Sequence, residues 1–210
     1  MQRVVVSWNG GKGGYFACHR AISEGPDAHC LMNFISRDGR CMSHGLDRKL
    51  VLAQSEAIGI PVIRKGVTWE TYERDFKSAM RELKQASEGA ILDICDIAKH
   101  EGRIGRVRSE LGIEPKKPLW GSEPEGLLSG FIWDGFEALV AVKADSLGRE
   151  WLGRRVDDSF IRDLKLDGKV GIHLYMELGR CHTFLHDDPI FKKRIEMFDF
   201  REDWKEATGS

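Results

Sequence analysis

The sequence predicts an α/β fold: a doubly wound parallel sheet with a second, smaller α+β domain. Three observations carry this. Short β-branched runs alternate with helically spaced apolar faces through the first half of the chain. The first such run enters a glycine cluster that passes directly into a helix-like segment. After about residue 112 the texture changes to a punctuated connector followed by short strand-like pieces. Strands that alternate with helices pair in parallel, because parallel neighbours need crossover connections.

Val4 to Val6 is the first strand, and Lys12 to about Ser23 is a helix stopped by Gly25-Pro26. His29 to Ile35 is a second strand, ended by the turn chemistry of Arg37-Asp38-Gly39. Leu46, Leu50, Ala53 and Ala57 share one helical face that ends at Gly59. Pro61 to Val67 is a third strand, Tyr72, Phe76, Ala79 and Leu83 repeat the helical spacing, and Ala90 to Ile94 is a fourth strand. Pro115 to Gly121 reads as a connector. Ser122-x-x-Glu125 with Pro124 reads as a capping box that opens a helix to about Asp134. Ala138 to Val142 is a buried strand, and the segment from Gly171 supplies further short strands. The expected domains are 1–118 and 119–210.

Composition narrows the function classes. The chain has 210 residues, 41% apolar and 31% charged, as a soluble globular protein with a sizeable core would. Its 32 basic and 33 acidic side chains nearly cancel, which leaves no strong field for nucleic acid or an anionic membrane. No stretch approaches the ~20 apolar residues that span a bilayer, and no apolar leader follows Met1-Gln2-Arg3, so a cytoplasmic location is expected. Cys18, Cys30, Cys41, Cys95 and Cys181 are far apart without a C-x-x-C, which argues against a disulfide framework or a structural zinc. They are expected as small buried hydrophobes.

The chemistry concentrates in Asn9-Gly10-Gly11-Lys12-Gly13-Gly14. A strand that turns through glycines into a helix presents backbone N–H groups where the helix dipole also favours an anion. Glycine permits close approach of a phosphate, and Lys12 adds a point charge. The spacing fits neither the Walker loop nor the dinucleotide fingerprint. On chemistry alone two readings stand: a phosphate cradle, or a glycine turn that packs a helix closely on a strand.

"SWNGGKGG" resembles the S-G-G-K-D-S pyrophosphatase loop of the N-type ATP pyrophosphatases. Four further segments narrow the resemblance to the diphthine–ammonia ligase family: His44-Gly45 followed by "LVLAQSEAIGIPV", then "LGIEPKKPLWG", "WLGRRVDDSF" and "HTFLHDDPIF", all in the family's order. The resemblance implies a nucleotide-α-hydrolase-like, Rossmann-like domain over 1–118 and a substrate-side domain over 119–210, with the site at the carboxyl ends of the strands. It implies ATP and Mg²⁺, adenylation of a carboxylate, release of pyrophosphate, and displacement of AMP by ammonia or an amine. Ser7, Asn9, Gly10, Gly11, Lys12, Gly13, Gly14, His44 and Gly45 would bind the nucleotide. Lys12, Glu177 and His182 would be catalytic, and Trp120, Gly179 and Thr183 would meet the substrate. The expected partner is a small-molecule or protein-borne carboxylate, with no nucleic acid and no membrane; a homo-oligomer is compatible.

The departures from the family pattern fall where the reaction works. Asn9 replaces serine, Gly13 aspartate and Gly14 serine, so backbone donors remain while side-chain donors go. In "LDICDIAKHEGRIGRVRSELG" Asp93 and Asp96 would partly replace the family's acidic residue, and Arg103 and Arg106 keep some positive charge, but the family's tyrosine is gone. Glu177, Gly179, His182 and Thr183 persist near the end, while Leu178 replaces asparagine and Arg180 a glutamate. Leucine neither donates nor accepts, so a substrate other than diphthine is expected. The alternatives are a nucleotide-binding sensor or interaction module with reduced catalysis, and an enzyme whose pocket has been reassigned. Residues five apart on one strand face opposite ways, so a Glu177–His182 pair needs a bend at Gly179. Trp120 and Trp151 are expected as stacking surfaces, Trp69, Trp133 and Trp204 as packing residues, and His186-Asp187-Asp188 as a turn.

Overall fold

Three buried valines make β1 (Arg3–Ser7) a strand covered on both faces. Val4 and Val6 enter one core and Val5 the other, as the two-residue period of a strand requires. This is why the run shows no apolar–polar alternation. The computed structural model describes residues 3–23, 25, 27–43, 45–86, 91–94, 109–116, 118–119, 121–143, 148–166 and 181–196. Around β1, β2 (Asp27–Ile35), β3 (Val62–Gly66), β4 (Ile91–Ile94) and β5 (Glu114–Lys116) form one parallel sheet in the order β3-β2-β1-β4-β5. The fifth strand falls where the sequence suggested a connector. Pro115 sits inside it, and an edge strand, bonded on one side only, tolerates a proline.

Helices cover both faces, which makes the sheet doubly wound. On one side α1 (Lys12–Ser23) and α2 (Arg48–Ile58) bring Phe16, Ala17, Ala21, Val51 and Ile58 against Val4, Val6 and Leu31. On the other, α3 (Tyr72–Ala86) packs Phe76, Ala79, Met80 and Leu83 against Val5, Cys30, Met32 and Phe34. The expected face of α3 is the buried one. That of α2 is rotated: Val51, Gln54, Ser55, Ala57 and Ile58 are buried, while Leu50 and Ala53 are half-buried. Leu46, counted in the sequence pattern, lies ahead of the helix, whose cap is Asp47 accepting from Lys49 N at 2.8 Å.

The remainder builds a two-stranded antiparallel sheet of β6 (Glu137–Lys143) and β7 (Cys181–Asp187), with α4 (Pro124–Trp133) and α5 (Asp158–Leu166). Its apolar side chains join the core of α1. The Phe16 ring meets Phe131 edge-on at 6.0 Å and Phe136 at 5.3 Å, and those two rings stack at 4.9 Å. The capping box does not form: Glu123 holds the cap position without a side-chain hydrogen bond, and Pro124 follows it. A proline there has no N–H to satisfy, which weakens the need for a cap. β7 runs through Asp187, so the turn starts at Asp188, whose carbonyl accepts from Phe191 N at 3.1 Å, rather than at His186. Cys18, Cys30 and Cys41 are free and buried, as small hydrophobes should be. Among the described residues no helix is long and apolar enough to cross a membrane.

Two tryptophan expectations are corrected. Trp151 is 2% exposed, edge-on to Phe160 at 5.3 Å with the Arg154 guanidinium 4.7 Å from its ring, so it is a core residue and not a stacking surface. Trp133, expected in packing, is 89% exposed at the end of α4.

Because Phe16 belongs at once to the sheet's cover and to the second unit, Phe16→Ala should cost about 3–5 kcal/mol in a chemical denaturation experiment. A loss under about 1 kcal/mol would contradict a core shared in this way.

Candidate functional site

The order of the sheet fixes where a ligand would go. β2 and β3 lie to one side of β1 and β4 and β5 to the other, so the strand order reverses at β1, and in open sheets of this kind ligands bind outside the carboxyl ends of the strands. The glycine cluster is the segment that leaves β1 at this edge. Trp8 N still donates to Met32 O at 2.8 Å; the chain then turns through Asn9, Gly10 and Gly11 into α1. Gly10 has φ +81°, and a Cβ there would lie 3.0 Å from both Gln54 Oε1 and Leu46 Cδ1. Backbone conformation and packing both demand glycine.

The first helical bond of α1 runs from Tyr15 N to Gly11 O at 3.3 Å, so the N–H groups of Gly11, Lys12, Gly13 and Gly14 precede it. Two already meet side-chain oxygens. Gly11 N donates to Asn9 Oδ1 at 3.2 Å, and Lys12 N donates to Thr183 Oγ1 on β7 at 3.0 Å. Gln54, buried on α2, donates from Nε2 to Gly10 O at 3.1 Å and to Leu185 O at 2.9 Å. The turn is therefore bolted to β7 by two side chains that are remote from it in sequence.

Lys12 is 5% exposed, a buried cation at the base of this turn. His182, half-buried next to Thr183, is pulled down to about 4 by burial and then by the Lys12 charge. Its imidazole is neutral at physiological pH, a hydrogen-bonding group and a weak base. Nearby on the chain, burial pushes the Asp188 carboxyl up to about 7, with its Oδ1 accepting from Ile190 N at 2.7 Å.

Beside the turn lies a pocket lined by Ser7, Trp8, Asn9, Met32, Asn33, Phe34, Met42, Ser43, Trp69 and Tyr72. One wall is aromatic: the Trp69 and Tyr72 rings are 6.1 Å apart and Phe34 and Tyr72 5.1 Å apart. Trp69, expected as a packing residue, is 57% exposed on this wall. Asn33 braces the floor by donating to Trp8 O at 2.7 Å.

Ser7 and Asn9 thus line the pocket, while Gly10, Gly11, Lys12, Gly13, Gly14, His182 and Thr183 gather at the turn beside it. Gly45 has φ +65° in a separate turn, its N–H on Cys41 O at 2.8 Å and its carbonyl accepting from Arg40 at 3.0 Å. His44, Trp120, Glu177 and Gly179 lie outside the described residues. The sequence reading did not single out Gln54 or the aromatic wall. A signal existed for the wall: Trp8 and Trp69 closely follow the carboxyl ends of β1 and β3, where crevice residues of such sheets originate. Among the described residues no three His, Cys, Asp or Glu side chains gather as a metal set, and position 13 carries no carboxylate. Asp96, one of the two acidic candidates of the sequence, lies outside the described residues.

Residues 2–115 match the model of the diphthamide synthase N-terminal domain, and residues 123–210 match that of the diphthamide synthase C-terminal domain. The chain belongs to the diphthamide synthase family. It is 27% identical over 223 residues to diphthine–ammonia ligase of Rattus norvegicus, covering 92% of this chain and 82% of the relative. The diphthine–ammonia ligase of Homo sapiens is 25% identical over 219 residues, with 92% and 82% covered. That of Schizosaccharomyces pombe is 25% identical over 223 residues, but those span only 36% of a longer protein. In this member of the diphthamide synthase family the glycine turn sits at the carboxyl end of β1.

With a folded value near 4 and an unfolded value near 6.5, the unfolded chain protonates first at His182. That contribution to stability is complete above about pH 6.5 and is lost as pH falls toward 4. An NMR titration of His182 should give a midpoint near 4 that moves upward in Lys12→Met. A midpoint near 6.5 would show that the ring is neither desolvated nor close to the lysine.

Proposed function

We propose that the chain is an ATP-dependent, AMP-forming amide ligase acting on a carboxylate other than diphthine. One observation carries the reading: an aromatic pocket and a glycine-lined helix N-terminus adjoin at the carboxyl edge of the sheet, with Asn9 belonging to both. A nucleotide has the same two halves, a flat base and a polyanion. Family membership supplies the reaction class.

ATP, when bound, supplies the AMP leaving group that activates a carboxylate, with pyrophosphate departing. The chain's own residues would do the rest by positioning and charge. Trp69 and Tyr72 offer ring faces to the base. The amides of Gly13 and Gly14, with those of Gly11 and Lys12 once their present acceptors are displaced, face the phosphates at the positive end of α1. The Lys12 ammonium adds charge in a site shielded from water, where such interactions strengthen. His182, neutral, would accept a hydrogen bond from the incoming ammonia or amine. Glu177 and Gly179 belong to the acceptor side under this reading, and the exchange of asparagine for Leu178 and of glutamate for Arg180 is the reason to look beyond diphthine. A homo-oligomer and a cytoplasmic setting remain part of the proposal.

A second reading, a nucleotide-binding module with little turnover, is favoured by a specific observation. Positions 13 and 14 offer no side-chain donor, and two of the loop's amides are already taken. Loss of one well-placed donor costs about 10²–10³ in rate.

Calorimetric titration with ATP, ADP and AMP, together with a pyrophosphate-release assay in Mg²⁺, decides between them. Binding with pyrophosphate release supports the ligase, and Lys12→Ala should then cut release at least roughly tenfold. Tight binding without release supports the module, and absence of binding overturns both in favour of a reassigned pocket.

A further inference from the structure

We propose that Asn9 and Thr183 occupy the anion cradle with their own side-chain oxygens, so that a phosphate must displace them and Asn9 sets how readily the loop accepts one. This rests on the nucleotide-binding reading and goes beyond it, because it assigns the loop a self-occupied state and names the residues responsible.

The first-turn amides of a helix bind an anion through its oxygens at hydrogen-bond distance. In this chain an oxygen already stands at that distance from two of them, Asn9 Oδ1 at 3.2 Å from Gly11 N and Thr183 Oγ1 at 3.0 Å from Lys12 N. The two arrive from different places: Asn9 from the turn itself, Thr183 from β7. Both are held in position. Gln54 pins the Gly10 carbonyl and the Leu185 carbonyl with one carboxamide, which fixes the turn and β7 relative to each other. The Oε1 of that carboxamide is buried without a hydrogen-bond partner among the described residues, against the face of Gly10 that has no room for a Cβ.

Position 14 completes the arrangement. A Cβ on Gly14 would stand 3.3 Å from Asn9 Oδ1, closer than most real contacts of that kind. The Asn9 carboxamide therefore fills the space a side chain at 14 would enter, and Asn9 and Gly14 form a matched pair. Restoring a serine at 14 alone would push the carboxamide off Gly11 N. The Lys12 ammonium keeps the locale positive whichever oxygen is present, so the cradle stays attractive to an anion.

Pyrophosphate is titrated by calorimetry into the wild type, Asn9→Ala, the near-isosteric Thr183→Val, and Gly14→Ser, with thermal melts to confirm folding and adenosine titrated in parallel to read the aromatic pocket. A net hydrogen bond released from competition corresponds to ~2- to 10-fold in affinity, so each variant should bind pyrophosphate tighter by that factor. Unchanged or weaker pyrophosphate affinity in folded Asn9→Ala and Thr183→Val overturns the inference, and weaker affinity in Asn9→Ala would make Asn9 a phosphate donor instead. No pyrophosphate binding by any form overturns it as well. Tighter pyrophosphate binding without adenosine binding leaves the self-occupied cradle standing and removes the nucleotide reading. Adenosine binding with unchanged pyrophosphate affinity does the reverse.

Discussion

The turn at Gly10 is the constraint on which the rest depends. With φ +81° and neighbours 3.0 Å from where a Cβ would sit, the backbone leaves β1 in the one way that starts α1 at the edge of the sheet. From that start follow the direction of the first-turn amides, the burial of Lys12 and the face of α1 that carries Phe16 into the second unit. The same turn receives Gln54 from α2 and Thr183 from β7, so local geometry at one glycine links three distant parts of the chain.

Much of the fold was legible because it is written in local periodicity. The valines of β1 and the Phe76, Ala79 and Leu83 face of α3 are read from their neighbours alone. Failures occurred where a partner far along the chain decides. β5 is a strand because β4 offers it an edge, and nothing inside Glu114–Lys116 announces that. The face of α2 is set by where the sheet and β7 meet it, which buries Gln54, a residue no hydrophobic pattern would choose. Tryptophan exposure failed in both directions, since an indole is wanted equally in a core and on a pocket wall; Trp151 and Trp69 exchanged expected roles.

The site shows the same division. The backbone cradle could be read from Gly10 to Gly14, because glycines before a helix have a direct physical consequence. The contact that occupies it could not: Thr183 lies 171 positions from Lys12, and only the packing of β7 against α1 unites them. The fold sets a glycine turn beside an aromatic-walled pocket, with Asn9 between the two.

The central claim, that the β1–α1 turn is an anion site, is tested most directly by amide NMR with pyrophosphate added to the labelled protein. The amide signals of Gly11, Lys12, Gly13 and Gly14 should shift together and saturate, while those of the last turn of α3, Leu83 to Ala86, stay in place. Shifts confined to other surfaces, or none at the turn, would contradict it.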